Sequence, residues 1–459
     1  MGRIVTRFTI PIGALAFVIL SIGTCFAATK VETRVRYVAT NGSDSNPGTL
    51  TAPFKTIDKG ISMLTPGDTL YVRAGVYTEA LVVSSSGTAS APILISAYAN
   101  ELPIIDGQGR LPLRQGQPLI LLKGSYVQMQ GFEVRNSNTF NSAGVVLDGE
   151  HDIVSHMNVH HHYAAGILAR GDYTIVEYST VWQNAYRNCR AKGCPPTPYP
   201  NGGWATGVSA ARSPVDGITY HAILRKNVVY NNWGEGLSTY EARGTVMEDN
   251  IVYDNWATNT YISDASDVVF QRNLIYTTAN NAVGIRRACI TLADERSDKP
   301  RSEHNIVVNN MCLNGDLYAF AWTLVPQSGL VKALIANNTI VNGALKTGPI
   351  NRESKIVNNI IAKDDAVAYV PTTAGLMFAN NLWSTAPPSE ALGTHSLIQD
   401  PKILKVGSTD AGQLTSTYFS LSMKSPAHQA GINLGDGLTV DAFGQQRKSP
   451  PTIGAYEIR

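Results

Sequence analysis

Along the middle of the chain, hydrophobic residues come in twos and threes, and the groups alternate with asparagine, aspartate and glycine. The pattern repeats. Ile223-Leu224-Arg225-Lys226-Asn227-Val228-Val229-Tyr230 returns as Val246-Met247-Glu248-Asp249-Asn250-Ile251-Val252-Tyr253, and again as Val269-Phe270-Gln271-Arg272-Asn273-Leu274-Ile275-Tyr276. The marker asparagines lie 23 residues apart at both steps. A unit of that size is the signature of a repeat architecture. Its β-branched and aromatic runs, broken by turn residues, predict strands. No segment of the unit carries helical apolar spacing long enough to stand as a helix. The Leu-x-x-Leu-x-Leu pattern of leucine-rich repeats is absent. An all-β parallel β-helix follows, with one coil of three short strands per repeat and coils stacked at ~4.8 Å.

Extending the marker in both directions gives Gly131, Asn158, Ser179, Asn227, Asn250, Asn273, Asn305, Asn338, Asn359 and Asn381. Turn amides in register form a ladder in which each side chain bonds its copy one coil away, so the ladder is structural.

The flanks divide the chain further. Residues 1–27 carry Arg3 and Arg7, an apolar run from Ile10 to Ile22 and small residues ending at Ala27, which predicts a cleaved secretory signal. Thr24 is a poor fit to a lipoprotein box before Cys25. Residues 35–107 predict an N-terminal cap with first strands, including a short helix over Pro53–Ile61 that closes the open end of the stack. Residues 108–385 form the β-helix of about ten coils, and 386–459 its C-terminal end and tail. After the signal, Cys189, Cys194, Cys289 and Cys312 remain, an even number that favours disulfides in an exported chain. Cys189–Cys194 closes a small loop and leaves Cys289–Cys312.

A net charge of +2 and no basic run argue against a nucleic-acid partner. The low charged fraction, 16%, suits an exported β protein, secreted or periplasmic, with no membrane attachment beyond the signal.

The N-terminal block, the Asn-marked coils, and the tail from Ser425-Pro426-Ala427 through Asp441, Gly444 and Arg447 to Ile453-Gly454-Ala455-Tyr456-Glu457 resemble secreted bacterial right-handed parallel β-helix proteins. That group includes polysaccharide lyases of the pectate lyase 9 type. The resemblance implies a right-handed solenoid, an extracellular polysaccharide as partner and a monomer. It implies activity less sharply, because the scaffold carries lyases, hydrolases, C5-epimerases and non-catalytic surface proteins. Asn232-Trp233-Gly234-Glu235-Gly236-Leu237 is the part most similar to the lyase pattern, in which acidic residues bind calcium. Glu235 matches an acidic position, whereas Gly234 and Ser238 stand where further ligands are expected. The family's catalytic lysine has no secure counterpart, since Lys226 lies by the Asn turn on a different face.

Aligning coils by the repeat matches Thr206–Arg212 to Glu235–Glu241 and these to Thr258–Asp264. Arg212, Glu241 and Asp264 then stack one interstrand step apart, with Arg287 at the Asp264 position of the next coil. Two carboxylates about 5 Å apart resist double ionisation while the guanidiniums favour it. The pair can supply an acid and a base, and its spacing suits a retaining glycosidase. The alternative is a salt-bridged ladder that holds the coils in register. Insertions at Ala185–Gly203, Ser213–His221 and Ala288–Ser302 predict walls around a groove. Ser209, Arg212, Ser238, Tyr240, Tyr261 and Arg286 line it, with Trp233 and Arg287 adding contacts for substrate. Aromatic faces suit sugar rings and arginines suit carboxylated sugars. His221, in an inserted loop, is an acid/base candidate. His156, His160, His161 and His162 cannot share one metal, because neighbours on a strand face opposite ways.

The leading expectation is a lyase that cleaves a uronate-containing glycan by β-elimination. Arg212 neutralises the carboxylate and Tyr240 or Tyr261 transfers the proton. A glycosidase using Glu241 and Asp264 is the second reading, and a non-catalytic glycan-binding protein the third.

Overall fold

The computed structural model describes residues 34–137, 139–188, 205–279, 288–296, 301–320, 329–435 and 438–459. The expected signal, the Cys189–Cys194 pair, Arg286 and Arg287 lie outside these residues. The described chain winds into a right-handed parallel β-helix of about eleven turns. Every ladder between coils is parallel. A first sheet runs from Val35–Val38 to Leu376–Ala379, a second from Gly75–Tyr77 to Leu397–Ile398, and a third from Leu81–Val83 to Ala368–Tyr369. One coil shows the scheme, with Val246–Glu248 in the first sheet, Ile251–Tyr253 in the second and Thr258–Ser266 in the third.

Inward residues set the register. Leu224, Met247, Phe270 and Val307 stack in the first sheet, and Val229, Val252, Ile275 and Cys312 in the second. Leu237, Thr260 and Ile290 do so in the third, and all of these are buried. The Cys289–Cys312 disulfide crosses this core between the third and second sheets.

The asparagine ladder runs Asn227, Asn250, Asn273, Asn310, Asn338, Asn359 and Asn381, each Nδ2 donating to the next Oδ1 as far as Asn381. Three expected members are corrected, the first being Gly131, whose place in the column Phe132 takes. Asn310 replaces Asn305, which instead accepts the Val268 N–H in the turn into the first sheet. Met157 stands at the place read as Asn158 and donates its N–H to Ser179 Oγ. A second ladder of Asn184, Asn232, Asn255 and Asn259 lines the turn into the third sheet. Glycines make room for it. A Cβ on Gly207 would lie 2.7 Å from Asn232 Nδ2 and 2.8 Å from the Gly236 carbonyl oxygen.

The helix at the open end is Ile57–Ile61, capped by Thr56, whose hydroxyl accepts the Lys59 N–H. The C-terminal tail folds back along the solenoid. Leu414, Tyr418 and Phe419 pack with Tyr253, Tyr276 and Leu313 of the second sheet. Ile432, Leu434 and Leu438 pack beside Val308, Ala336 and Val357 of the first. The outer face of the third sheet is left open at its centre. No helix among the described residues is long and apolar enough to cross a membrane.

Candidate functional site

The third sheet is longest in the central coils, where Glu235–Arg243 and Thr258–Ser266 each span 9 residues. Both strands pass through a left-handed residue, Glu241 at φ 50° and Asp264 at φ 48°. That bend turns the two carboxylates outward while Ala242 and Ala265 resume pairing. Arg212 precedes them in the same row, following the Ala211–Tyr240 and Tyr240–Ser263 pairs. The three side chains border one groove of about 660 Å³ on the outer face, with Glu235, Tyr240 and Tyr261.

The row continues differently from the sequence alignment. Ser263 pairs with Ala293, so Asp294, not Arg287, follows Asp264. Ala288–Ala293 is itself a buried strand, placed by Ile290 and Leu292, and is not part of a wall. The residues just beyond it, Glu295 and Arg296, line the groove.

Glu241 and Asp264 are held by different partners. Arg212 grips Glu241 with both ends of its fork, Nε at 2.7 Å and Nη2 at 2.9 Å, and Arg296 Nε stands 3.2 Å from the same carboxylate. Asp264 accepts the Ser263 hydroxyl and the backbone N–H groups of Glu295 and Arg296. Burial is the main cause that raises its pKa, and the backbone donors oppose it. Together the pair tethers the loop that delivers Glu295 and Arg296 to the groove.

That loop completes a second cluster. The Tyr261 hydroxyl donates to Glu295 Oε1 at 2.5 Å. Burial, then the Glu295 partner, pushes the phenol well above its ordinary range. Glu235 stands nearby, pushed up to about 8 by burial and by the Glu295 charge, against a bond from Ser238 and the charge of Arg187. At neutral pH Glu235 is therefore protonated. Arg187 donates to Asn141 Oδ1 at 3.0 Å, and burial disfavours its charge, offset in part by Tyr163, Tyr240 and Glu235. Arg170 pairs with Asp148 at 3.0 Å and its charge acts on Tyr240. Arg170 and Arg187 were missed by spacing alone, since neither belongs to the repeated row.

Other expected residues take different places. Ser209 and Ser238 do face outward, but both are fully buried under longer neighbours, with Ser238 Oγ donating to Ser209 Oγ at 3.0 Å. They support the groove from below. Trp233 packs beside Tyr163, Ala164, Ala185 and Ala205 at the turn before the groove. His221 lies past the far end of the third sheet, where it stacks on Tyr173 with ring centroids 5.1 Å apart. It is not among the lining residues, because its loop folds along the turn column and away from the groove. The four clustered histidines also separate. His162 is buried against Ser137, His156 stacks on Tyr178, and His160 and His161 meet through their Nδ1 atoms.

Calcium takes six to eight oxygen ligands, several of them carboxylate. The described residues in register with Glu235 are Thr206 and Thr258. Gly234 has no side chain, and the Ser238 hydroxyl already lies within hydrogen-bond reach of the Thr206 and Ser209 hydroxyls. Around Glu235 the described side chains thus supply one carboxyl group and hydroxyls, fewer carboxylates than such a site calls for.

Comparison with known proteins bears on the same region. A family profile described as "Pel9A-like, right handed beta helix region" matches residues 36–273. "Pectate lyase PEL9" of Emericella nidulans is 43% identical over 74 residues, 16% of this chain and 18% of that protein. The chain thus aligns with under a fifth of that relative's length. "Pectate lyase L" of Dickeya chrysanthemi is 24% identical over 444 residues, 92% of this chain and 90% of that one. The crystal structure of pectate lyase Pel9A superposes with TM-score 0.57 at 17% identity, covering 93% of this chain and 97% of that chain, which shows the shared fold.

Proposed function

We propose a polysaccharide lyase activity from a plain premise: this chain belongs to the Pel9A-like family of right-handed β-helix proteins. The proposed substrate is an extracellular glycan that contains uronate, cleaved by β-elimination. One juxtaposition carries the proposal. A protonated Glu235 and the arginines of the groove face the Tyr261–Glu295 pair across a single cavity.

In this reaction the proton on uronate C5 leaves, its electron pair forms the C4–C5 double bond, and the C4–oxygen bond breaks. The expelled oxygen must gain a proton. Arg187 binds the uronate carboxylate, since a half-buried guanidinium gains from a new anion, and the neutralised carboxylate makes the C5 proton more acidic. Tyr261 passes its proton to Glu295 while its oxygen takes the C5 proton. Glu235 protonates the leaving oxygen. Proton return from Glu295 to Glu235 restores the site. Glu241 and Asp264, both occupied by donors, hold the loop in place, which argues against using them as a glycosidase pair. Export belongs to the same proposal, since the Cys289–Cys312 bridge suits an oxidising compartment.

The test is incubation with acidic and neutral polysaccharides, with and without a chelator, following the ultraviolet absorbance of unsaturated ends. Absorbance should rise on a uronate polymer, be insensitive to the chelator, and fall about 100-fold or more in Tyr261→Phe. New reducing ends without absorbance would identify a hydrolase instead. Binding without cleavage would favour the surface-protein reading.

A further inference from the structure

The groove has two unlike halves. Outward positions of the third sheet run Val82, Leu121, Val146 and Leu168 over four consecutive coils, then change to Ser209, Ser238 and Tyr261. Leu121, Val146 and Leu168 line the same cavity as the acid/base cluster. They join Ala143 and Ala165 in one apolar patch outside the solenoid core. Polar groups border this patch at its rim, where Asn141 stands on one side and the Asp148–Arg170 pair on the other.

We propose that this half of the groove is a subsite for a sugar unit carrying a methyl group, next to the uronate being cleaved. The assignment rests on the glycan reading above and adds a substrate class to it. Sugar rings without such a group offer hydroxyls to a floor, and a hydroxyl pressed on Leu121, Val146 and Leu168 would lose its water partners with nothing in return. Their flat faces stack best on aromatic rings, and the stretch of the row from Val82 to Leu168 has none. A methyl group instead gains by burial among branched aliphatic side chains, while the remaining hydroxyls of the same unit reach the polar rim. Each coil advances about 4.8 Å, so the apolar row spans a few sugar units of a chain lying along the solenoid axis. A 6-deoxy sugar, an O-acetylated sugar and a uronate methyl ester all present this group.

Calorimetric binding separates the three sources. The probes are de-esterified homogalacturonan, the same polymer partly methyl-esterified, an O-acetylated galacturonan, and a backbone alternating galacturonate with rhamnose. The full-length protein should bind at least one methyl-bearing polymer about tenfold more tightly than the stripped one. Leu168→Asn, and separately Leu121→Asn, should bring that ratio close to one. Both residues are only partly buried, and circular dichroism checks that each variant folds. Equal affinity for all four probes overturns the subsite, as does an unchanged ratio in both folded variants. Binding is read without product formation, so loss of the lyase reading leaves this measurement intact. Failure to bind any glycan overturns both.

Discussion

Glu235 and Asp152 are both carboxyls that burial pushes up to about 8, yet their surroundings give the protons different uses. Glu235 faces the groove, so its proton can reach a substrate. If it is the general acid, kcat/KM is sustained below about pH 8 and falls as pH rises through that value, because the ionised form cannot donate. Glu235→Gln should lower kcat about 100- to 10,000-fold and abolish that limb. A profile flat through pH 9 in the wild type would remove the role. Asp152 is fully buried in the turn after the third sheet, where Oδ1 accepts the Val127 N–H at 2.8 Å. Its ordinary value is 3.8, so between about pH 4 and 8 the folded protein holds a proton that the unfolded chain has released. Stability from this group is therefore full in acid and declines as pH rises towards 8. Asp152→Asn keeps the acceptor and cannot ionise. Its melting temperature should exceed the wild type's at pH 9, with the gap narrowing at pH 5. Thermal melts across that range check the sign.

At the scale of coils and turns, the amide ladder separates what repeats from what merely resembles the repeat. Asn250 accepts from the N–H and Nδ2 of Asn227 and donates to the Leu224 carbonyl and Asn273 Oδ1, all out of water. Asn250→Ala should cost about 2–4 kcal/mol, because it strands buried partners on both sides. Asn158 carries the same sequence signature, but its amide only accepts the Trp182 indole N–H and is partly exposed. Asn158→Ala should cost less than about 1 kcal/mol, and calorimetric melts of the two variants give the comparison. This contrast also explains which parts of the site were legible. Arg212, Glu241 and Asp264 could be aligned because the strands carrying them keep inward residues in step, Val208 with Leu237 and Leu237 with Thr260. Counting failed across the next coil, where an insertion comes before Ala288–Ala293 and the inward Ile290 and Leu292 decide the register. Arg287 was misplaced for that reason, and Asn305 because the turn into the first sheet there carries the same pattern of Asn and two apolar residues as the marker. The roles of Ser209 and Ser238 failed differently: alternation shows that they point outward, but not that longer neighbours close over them.

On the scale of the whole molecule, the tail and the groove occupy different sides of a solenoid whose coils contact mainly their neighbours, so damage to one should spare the other. Arg447 is the pin of the tail. It is buried, with Nη2 donating to Asn309 Oδ1 at 2.7 Å and to the Gly454 carbonyl at 2.8 Å, and Nη1 donating to the Thr452 carbonyl at 3.1 Å. Glu457 stands 3.5 Å away, and burial still lowers the guanidinium pKa to about 10. Replacing it by methionine removes every one of these bonds and leaves Glu457 as a buried charge without its cation, a loss of about 3–5 kcal/mol. The face that Leu414, Tyr418 and Phe419 cover would then open, exposing Tyr253, Tyr276 and Leu313. Hydrogen exchange in Arg447→Met should accelerate first in the second-sheet strands Ile251–Tyr253, Leu274–Tyr276 and Met311–Leu313. Val145–Leu147 and Ile167–Ala169, beneath the apolar half of the groove and several coils towards the N-terminus, should keep their protection, and glycan binding at 25 °C should persist in the folded fraction. Equal acceleration in all coils would mean that the solenoid melts as one unit, and the separation of tail from groove would have to be abandoned.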